Sequence, residues 1–178
     1  MYRKEFKGKY AEDQKVRILI LGESHHWSDE DNNKSEEERQ EKENTYTTFK
    51  VVNNYLENYN NHFGNDRDRA YRFFEYIVRT FDIDPEEQRN DFWNRVYFGN
   101  YIDRLCGVRN DAAKKLLKIE ENRKKYNEQL FSFIREKEID IVFCFSRKVY
   151  NHLPALENDD KEEVDEEKDT HRLNKRTY

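Results

Sequence analysis

The sequence predicts an α/β fold, a three-layer α/β/α sandwich around a short parallel sheet. Three short apolar runs, 16–21, 97–102 and 139–145, read as buried strands. Long helix-favouring stretches separate them. Strands alternating with helices imply parallel pairing through right-handed crossovers, with the first strand central.

Each element has its own signal. Val16-Arg17-Ile18-Leu19-Ile20-Leu21 is a buried strand stopped by Gly22, which lets the backbone turn sharply off it. An acidic stretch, 28–44, follows as a loop. A helix begins near Thr45 and turns Phe49, Val52 and Leu56 inward. Asn58–Asp66, rich in Asn and holding Gly64, reads as a turn. Residues 67–81 space Ala70, Phe73, Phe74, Ile77, Val78 and Phe81 three or four apart, which predicts a helix. Asp84-Pro85-Glu86-Glu87 is a helix start, with Asp84 as cap and the two Glu at the positive dipole end. That helix turns Phe92, Trp93 and Val96 inward and leads into the second strand. Asp111–Lys137 favours one long helix or two, with Leu116, Ile119, Tyr126, Leu130, Phe133 and Ile134 inward. The third strand is followed by a helix carrying Val149, Tyr150 and Leu153.

At 178 residues the chain is read as one domain, 1–178. Charged residues make up 40% and the mean hydropathy is −1.29, which excludes a spanning helix of roughly 18 apolar residues. Twelve Phe, twelve Tyr and two Trp can still build a core from rings. Five Gly and two Pro are too few for a turn-rich β-sandwich. Two cysteines, Cys106 and Cys144, form no disulfide framework, and no apolar leader opens the chain. The expectation is a cytoplasmic protein with reduced thiols and no membrane partner. The net charge of −5 is uneven: 28–44 carries −5 and 157–169 carries −7, leaving +7 on the rest. Segments 28–44 and 157–178 are expected to be mobile and charged. A basic surface is expected around Arg104, Arg109, Lys114, Lys115 and Lys118.

In a parallel sheet, ligands sit beyond the carboxyl ends of the strands. Gly22-Glu23-Ser24-His25-His26-Trp27, Asn100 and Ser146-Arg147 all fall there. Glu23 suits activation of a water or stabilisation of a developing cation; a plain loop would use it to cap backbone N–H groups. His25 and His26 suit proton transfer or metal binding. Asn100 offers an oxygen and two N–H donors, the complement of a pyrimidine-like edge, or closes a turn. Trp27 suits stacking on a base or covering the core, and Arg147 suits a phosphate or an ordinary helix start. Glu23, His25, His26, Cys144 and His152 are the candidate metal ligands, but no H-E-x-x-H or C-x-x-C organises them.

Gly22-Glu23-Ser24 looks like the G-D-S block of SGNH hydrolases, with Ser24 as nucleophile. Their G-x-N-D block has only Gly64-Asn65-Asp66, one residue short. Their D-x-x-H is unmatched, because Lys168 stands three before His171. A broader resemblance covers about residues 14–155. Val16–His26 is similar to the opening of the uracil-DNA glycosylase-like superfamily, which reads G-E-A-P-G or G-Q-D-P-Y-H after its first strand. Asp91–Tyr101 looks like that family's helix into its second strand, and Ile139–Pro154 like its third strand and following helix.

The resemblance implies a divergent bacterial branch, recognising or excising a base in DNA. It places Glu23 as the catalytic, water-activating or cation-stabilising acid; His25-His26 stands where the family has Pro-Gly, and His25 joins the catalytic set through its capacity for proton transfer. It implies Asn100 as base recogniser and Trp27 or Phe49 as stacking ring. Gly22, Ser24, His26, Ser146 and Arg147 complete the substrate-binding set. No cofactor is expected, since two cysteines cannot hold the iron–sulfur cluster of some members. The family's H-P-S motif is absent. Either the domain stops before its last strand or it has left glycosylase chemistry. The alternatives are therefore a DNA or nucleotide-like ligand, a non-catalytic binding or assembly role with a protein partner, and the SGNH-like hydrolase.

Overall fold

The computed structural model describes residues 5–26, 34–35, 37–38, 41–42, 48–58, 69–84, 86–106, 111–154 and 175–177. It is an α/β structure with a small mixed open sheet. The strands are β1 (Phe6–Lys7), β2 (Ile18–Gly22), β3 (His25–His26), β4 (Tyr97–Asn100), β5 (Leu105–Cys106), β6 (Ile141–Cys144) and β7 (Lys175–Thr177). The helices are α1 (Thr48–Asn58), α2 (Arg69–Thr80), α3 (Arg89–Asn94), α4 (Asp111–Lys118), α5 (Glu120–Lys137) and α6 (Arg147–Tyr150).

The main sheet runs β1-β4-β2-β6-β7. Its centre is parallel, with β2 between β4 and β6, as the three apolar runs predicted. The purely parallel sheet needs correction. Both edges, β1 on β4 and β7 on β6, are antiparallel. A second sheet pairs β3 with β5 in parallel.

Alternation along β2 divides the core, because successive side chains leave a strand on opposite faces. Leu19 and Leu21 join Tyr97, Val142, Tyr126, Leu130, Phe133 and Val149 in one buried cluster. Ile20 joins Phe98, Phe6, Val52, Tyr55, Phe74, Ile77 and Trp93 in the other. The second cluster is largely aromatic. Trp93 is fully buried, with ring centroids 5.4 Å from Phe92, 5.6 Å from Phe74 and 5.7 Å from Phe98. No helix among the described residues is long and apolar enough to cross a membrane.

Several local readings shift. Helix α1 buries Val51, Val52 and Tyr55, and leaves Phe49 exposed rather than inward. Asp84 does not cap the regular helix. Its Oδ1 accepts from Glu86 N at 2.8 Å within a turn, and α3 begins only at Arg89. The 111–137 stretch is two helices, and Ile119 at the break is exposed rather than inward. Within the acidic loop, Ser35 and Glu38 form a reciprocal capping box: Ser35 N donates to Glu38 Oε2 at 2.8 Å, and Glu38 N donates to Ser35 Oγ at 3.3 Å. Hydrogen bonding from the Ser35 backbone, then from its side chain, holds the Glu38 carboxyl below its ordinary range. Glu37–Glu38 and Glu41–Lys42 have helical backbone, so 28–44 is not all loop. Lys175–Thr177, expected within a mobile tail, is instead a sheet strand. Residues 59–68 and 155–174, with the turn and most of that tail, lie outside the described residues.

Glu5, just before β1, gives the fold a pH signature. Burial pushes its carboxyl above the ordinary 4.5, with Glu136 adding to the rise and Lys137 opposing it. A carboxyl raised in the folded state binds its proton more tightly there than in the unfolded chain. Stability therefore falls as pH rises from the unfolded value through the folded one. Glu5→Gln should raise the melting temperature at pH 7, and the gain should shrink as pH falls through the raised folded value and be largely gone below about 4.5. Equal gains at pH 4 and pH 7 in thermal melts would contradict this.

Candidate functional site

The carboxyl ends of β2, β4 and β6 meet at one edge of the sheet. Backbone bonds continue the pairing past the strands themselves. Tyr101 N donates to Gly22 O, and Ile102 N to Glu23 O, both at 3.0 Å. Phe145 N donates to Leu21 O at 2.8 Å. Glu23 is thus fixed between the chain leaving β4 and the chain leaving β6.

Gly22 has a different role from the one its sequence suggests. No glycine among the described residues has a positive φ, so Gly22 is not there to make an unusual turn. It pairs with Asn100 across the sheet, and the Asn100 side chain lies over its Cα. A Cβ on Gly22 would stand 2.4 Å from Asn100 Oδ1 and 3.3 Å from Phe98 Cζ. Glycine is needed for close approach. Asn100 itself is buried, at 5% exposure.

On the β6 side the structure adds a contact that sequence reasoning missed. Lys148 Nζ lies 3.2 Å from Glu23 Oε1, and Ser146 Oγ donates to Glu23 Oε2 at 3.0 Å. Ser146 also caps α6, its hydroxyl oxygen accepting from Val149 N at 3.2 Å. That fixes the hydroxyl: proton toward Glu23, lone pair toward the helix. Arg147, read as a phosphate ligand or an ordinary helix-start base, is exposed at this end, while its neighbour turns to the carboxylate. A signal was present in the sequence. Two bases in the first turn of a helix oppose its dipole and call for a nearby anion. Glu23 supplies it. The pair is only partly buried, Lys148 at 34% and Glu23 at 17%, so it contributes about 0–1 kcal/mol to stability. Its main effect is to place charge.

His152 Nδ1 lies 2.7 Å from Lys148 O. A carbonyl only accepts, so that nitrogen carries a proton. Cys144 Sγ donates to Ser146 O at 3.4 Å.

His25 belongs to β3, aligned by Leu105 of β5. Its Nε2 lies 3.0 Å from Oγ1 of Thr48, the buried first residue of α1. This partner, too, was missed. Phe49 follows Thr48 and is 54% exposed, its ring 6.1 Å from Phe6. Ser24 is half-buried beside Glu23.

The sheet edge therefore gathers Gly22, Glu23, Asn100 and Ser146, with His25 three residues beyond Gly22. Trp27 and Arg109 lie outside the described residues, and of His26 only the backbone is described. Arg104, Lys114, Lys115 and Lys118 are all exposed. Among the described residues no three His, Cys, Asp or Glu side chains converge as a metal set.

Comparison of the chain with family models, curated proteins and solved structures finds no match.

Proposed function

We propose that the protein is a uracil-DNA glycosylase-like, nucleobase-recognising protein acting on DNA, built as that family's three-layer sandwich. One observation carries the reading. The Asn100 amide is held over Gly22, one residue before Glu23. A buried amide suits a complementary donor–acceptor edge, and the carboxylate of the residue that follows Gly22 in the chain suits water activation or a developing sugar cation. The exposed bases Arg104, Lys114, Lys115 and Lys118 suit phosphate contacts.

A second reading has its own support. Both Glu23 oxygens are engaged, by Ser146 and Lys148. A carboxylate so held favours a non-catalytic protein that recognises a base without cutting its bond.

The test is binding and excision on single- and double-stranded oligonucleotides bearing uracil, hypoxanthine or other altered bases. Asn100→Ala should weaken binding of the preferred base by about 1–3 kcal/mol. Glu23→Gln should leave binding and lower excision by about 10²–10⁴-fold. Base-selective binding without excision in the wild type would favour the second reading. No DNA retention at ~20 mM salt would end both, because phosphate attraction is strongest there.

A further inference from the structure

We propose that Lys148 is an amine nucleophile toward aldehydes, with Glu23 as its proton acceptor. Its substrate would be the ring-opened deoxyribose aldehyde of an abasic site in DNA. The proposal rests on the DNA reading above, which supplies that substrate.

Geometry carries it. Lys148 Nζ and Glu23 Oε1 are 3.2 Å apart, within range of direct proton transfer. Ser146 occupies the other carboxylate oxygen, so Oε1 faces the amine. Glu23 follows β2 and Lys148 lies in the helix after β6, and they meet at the sheet edge where a parallel fold binds ligands. Lys148 keeps a third of its side-chain surface accessible.

An ion-paired ammonium has no lone pair to offer. Transfer of one proton to Glu23 frees it. The neutral amine adds to the C1′ aldehyde carbon, and the proton its nitrogen then sheds passes to the former carbonyl oxygen, giving a carbinolamine. Glu23 then protonates the departing hydroxyl, water leaves, and an iminium forms. As a carboxylate again, Glu23 removes a C2′ proton. The electron pair forms the C2′–C3′ double bond and the C3′–O bond breaks, releasing the phosphate. Hydrolysis of the imine returns Lys148. Nothing is oxidised or reduced.

The experiment incubates the full chain with an oligonucleotide holding one abasic aldehyde, in the presence of cyanoborohydride, which reduces an imine to a stable amine. The expected result is a covalent protein–DNA adduct that peptide mapping assigns to Lys148. Lys148→Arg preserves the charge opposite Glu23 and should lower the adduct at least about tenfold. An adduct no stronger than with a tetrahydrofuran analogue, which has no aldehyde, overturns the proposal. So does mapping of the wild-type adduct to another lysine. Abasic DNA requires no base recognition, so the two readings fail separately. Base binding without an adduct removes the lysine chemistry alone, and an adduct without base binding removes the base reading alone.

Discussion

Alanine in place of Trp93 is expected to cost about 3–5 kcal/mol of folding stability. Few domains have more than about 5–15 kcal/mol to lose. Trp93 is fully buried and meets Phe6, Tyr55, Phe74, Phe92 and Phe98, with centroids 5.4–6.4 Å apart. All five contacts are edge-to-face packings, with interplanar angles of 72–89°. The hole would be too deep in the sheet face for its neighbours to fill. Phenylalanine should cost much less. The indole Nε1 has no hydrogen-bond partner among the described residues, and removing an orphaned buried donor recovers about 1–3 kcal/mol. Urea unfolding of the two variants decides it. A Trp93→Ala loss below about 1 kcal/mol would show that this cluster does not hold the fold.

The second large effect joins stability to the site. Gly22→Ala puts a methyl 2.4 Å from Asn100 Oδ1, closer than real Cβ contacts come. Overpacking of this kind costs about 1–3 kcal/mol. The amide must swing off the strand, so base recognition should disappear with it. The clash is with a side chain, so adding Asn100→Ala should restore much of the stability and none of the binding. That non-additivity is the signature of two residues in contact. A Gly22→Ala protein as stable as wild type, with unchanged binding, would refute the arrangement.

The centre of this fold was legible because its strands are buried on both faces and so read as unbroken apolar runs. Val16–Leu21 needed no partner to declare itself. The edges were not legible. Phe6–Lys7 and Lys175–Thr177 are two and three residues long, too short for any alternation to register. Helix α1 was found but turned by part of a revolution, because Phe49 and Val52 suggested a face that Val51, Val52 and Tyr55 in fact define. The site divides in the same way. Glu23, Asn100 and Ser146 follow from strand ends. Lys148 does not, because one residue along a helix turns a side chain by roughly 100° and only geometry separates it from Arg147.

The parallel centre has a consequence for synthesis. A parallel strand cannot be completed by its own hairpin, and β2 has both partners downstream. About 75 residues separate Gly22 from Tyr97, roughly 4–15 s of translation at 5–20 residues per second. The partner on the other side, β6, emerges later still. Throughout that interval Ile18-Leu19-Ile20-Leu21, uncharged and strongly strand-forming, has no native neighbour. The bases and acids that flank it, Lys15 and Arg17 before and Glu23 after, stand where gatekeeping charges limit the pairing of one nascent chain with another.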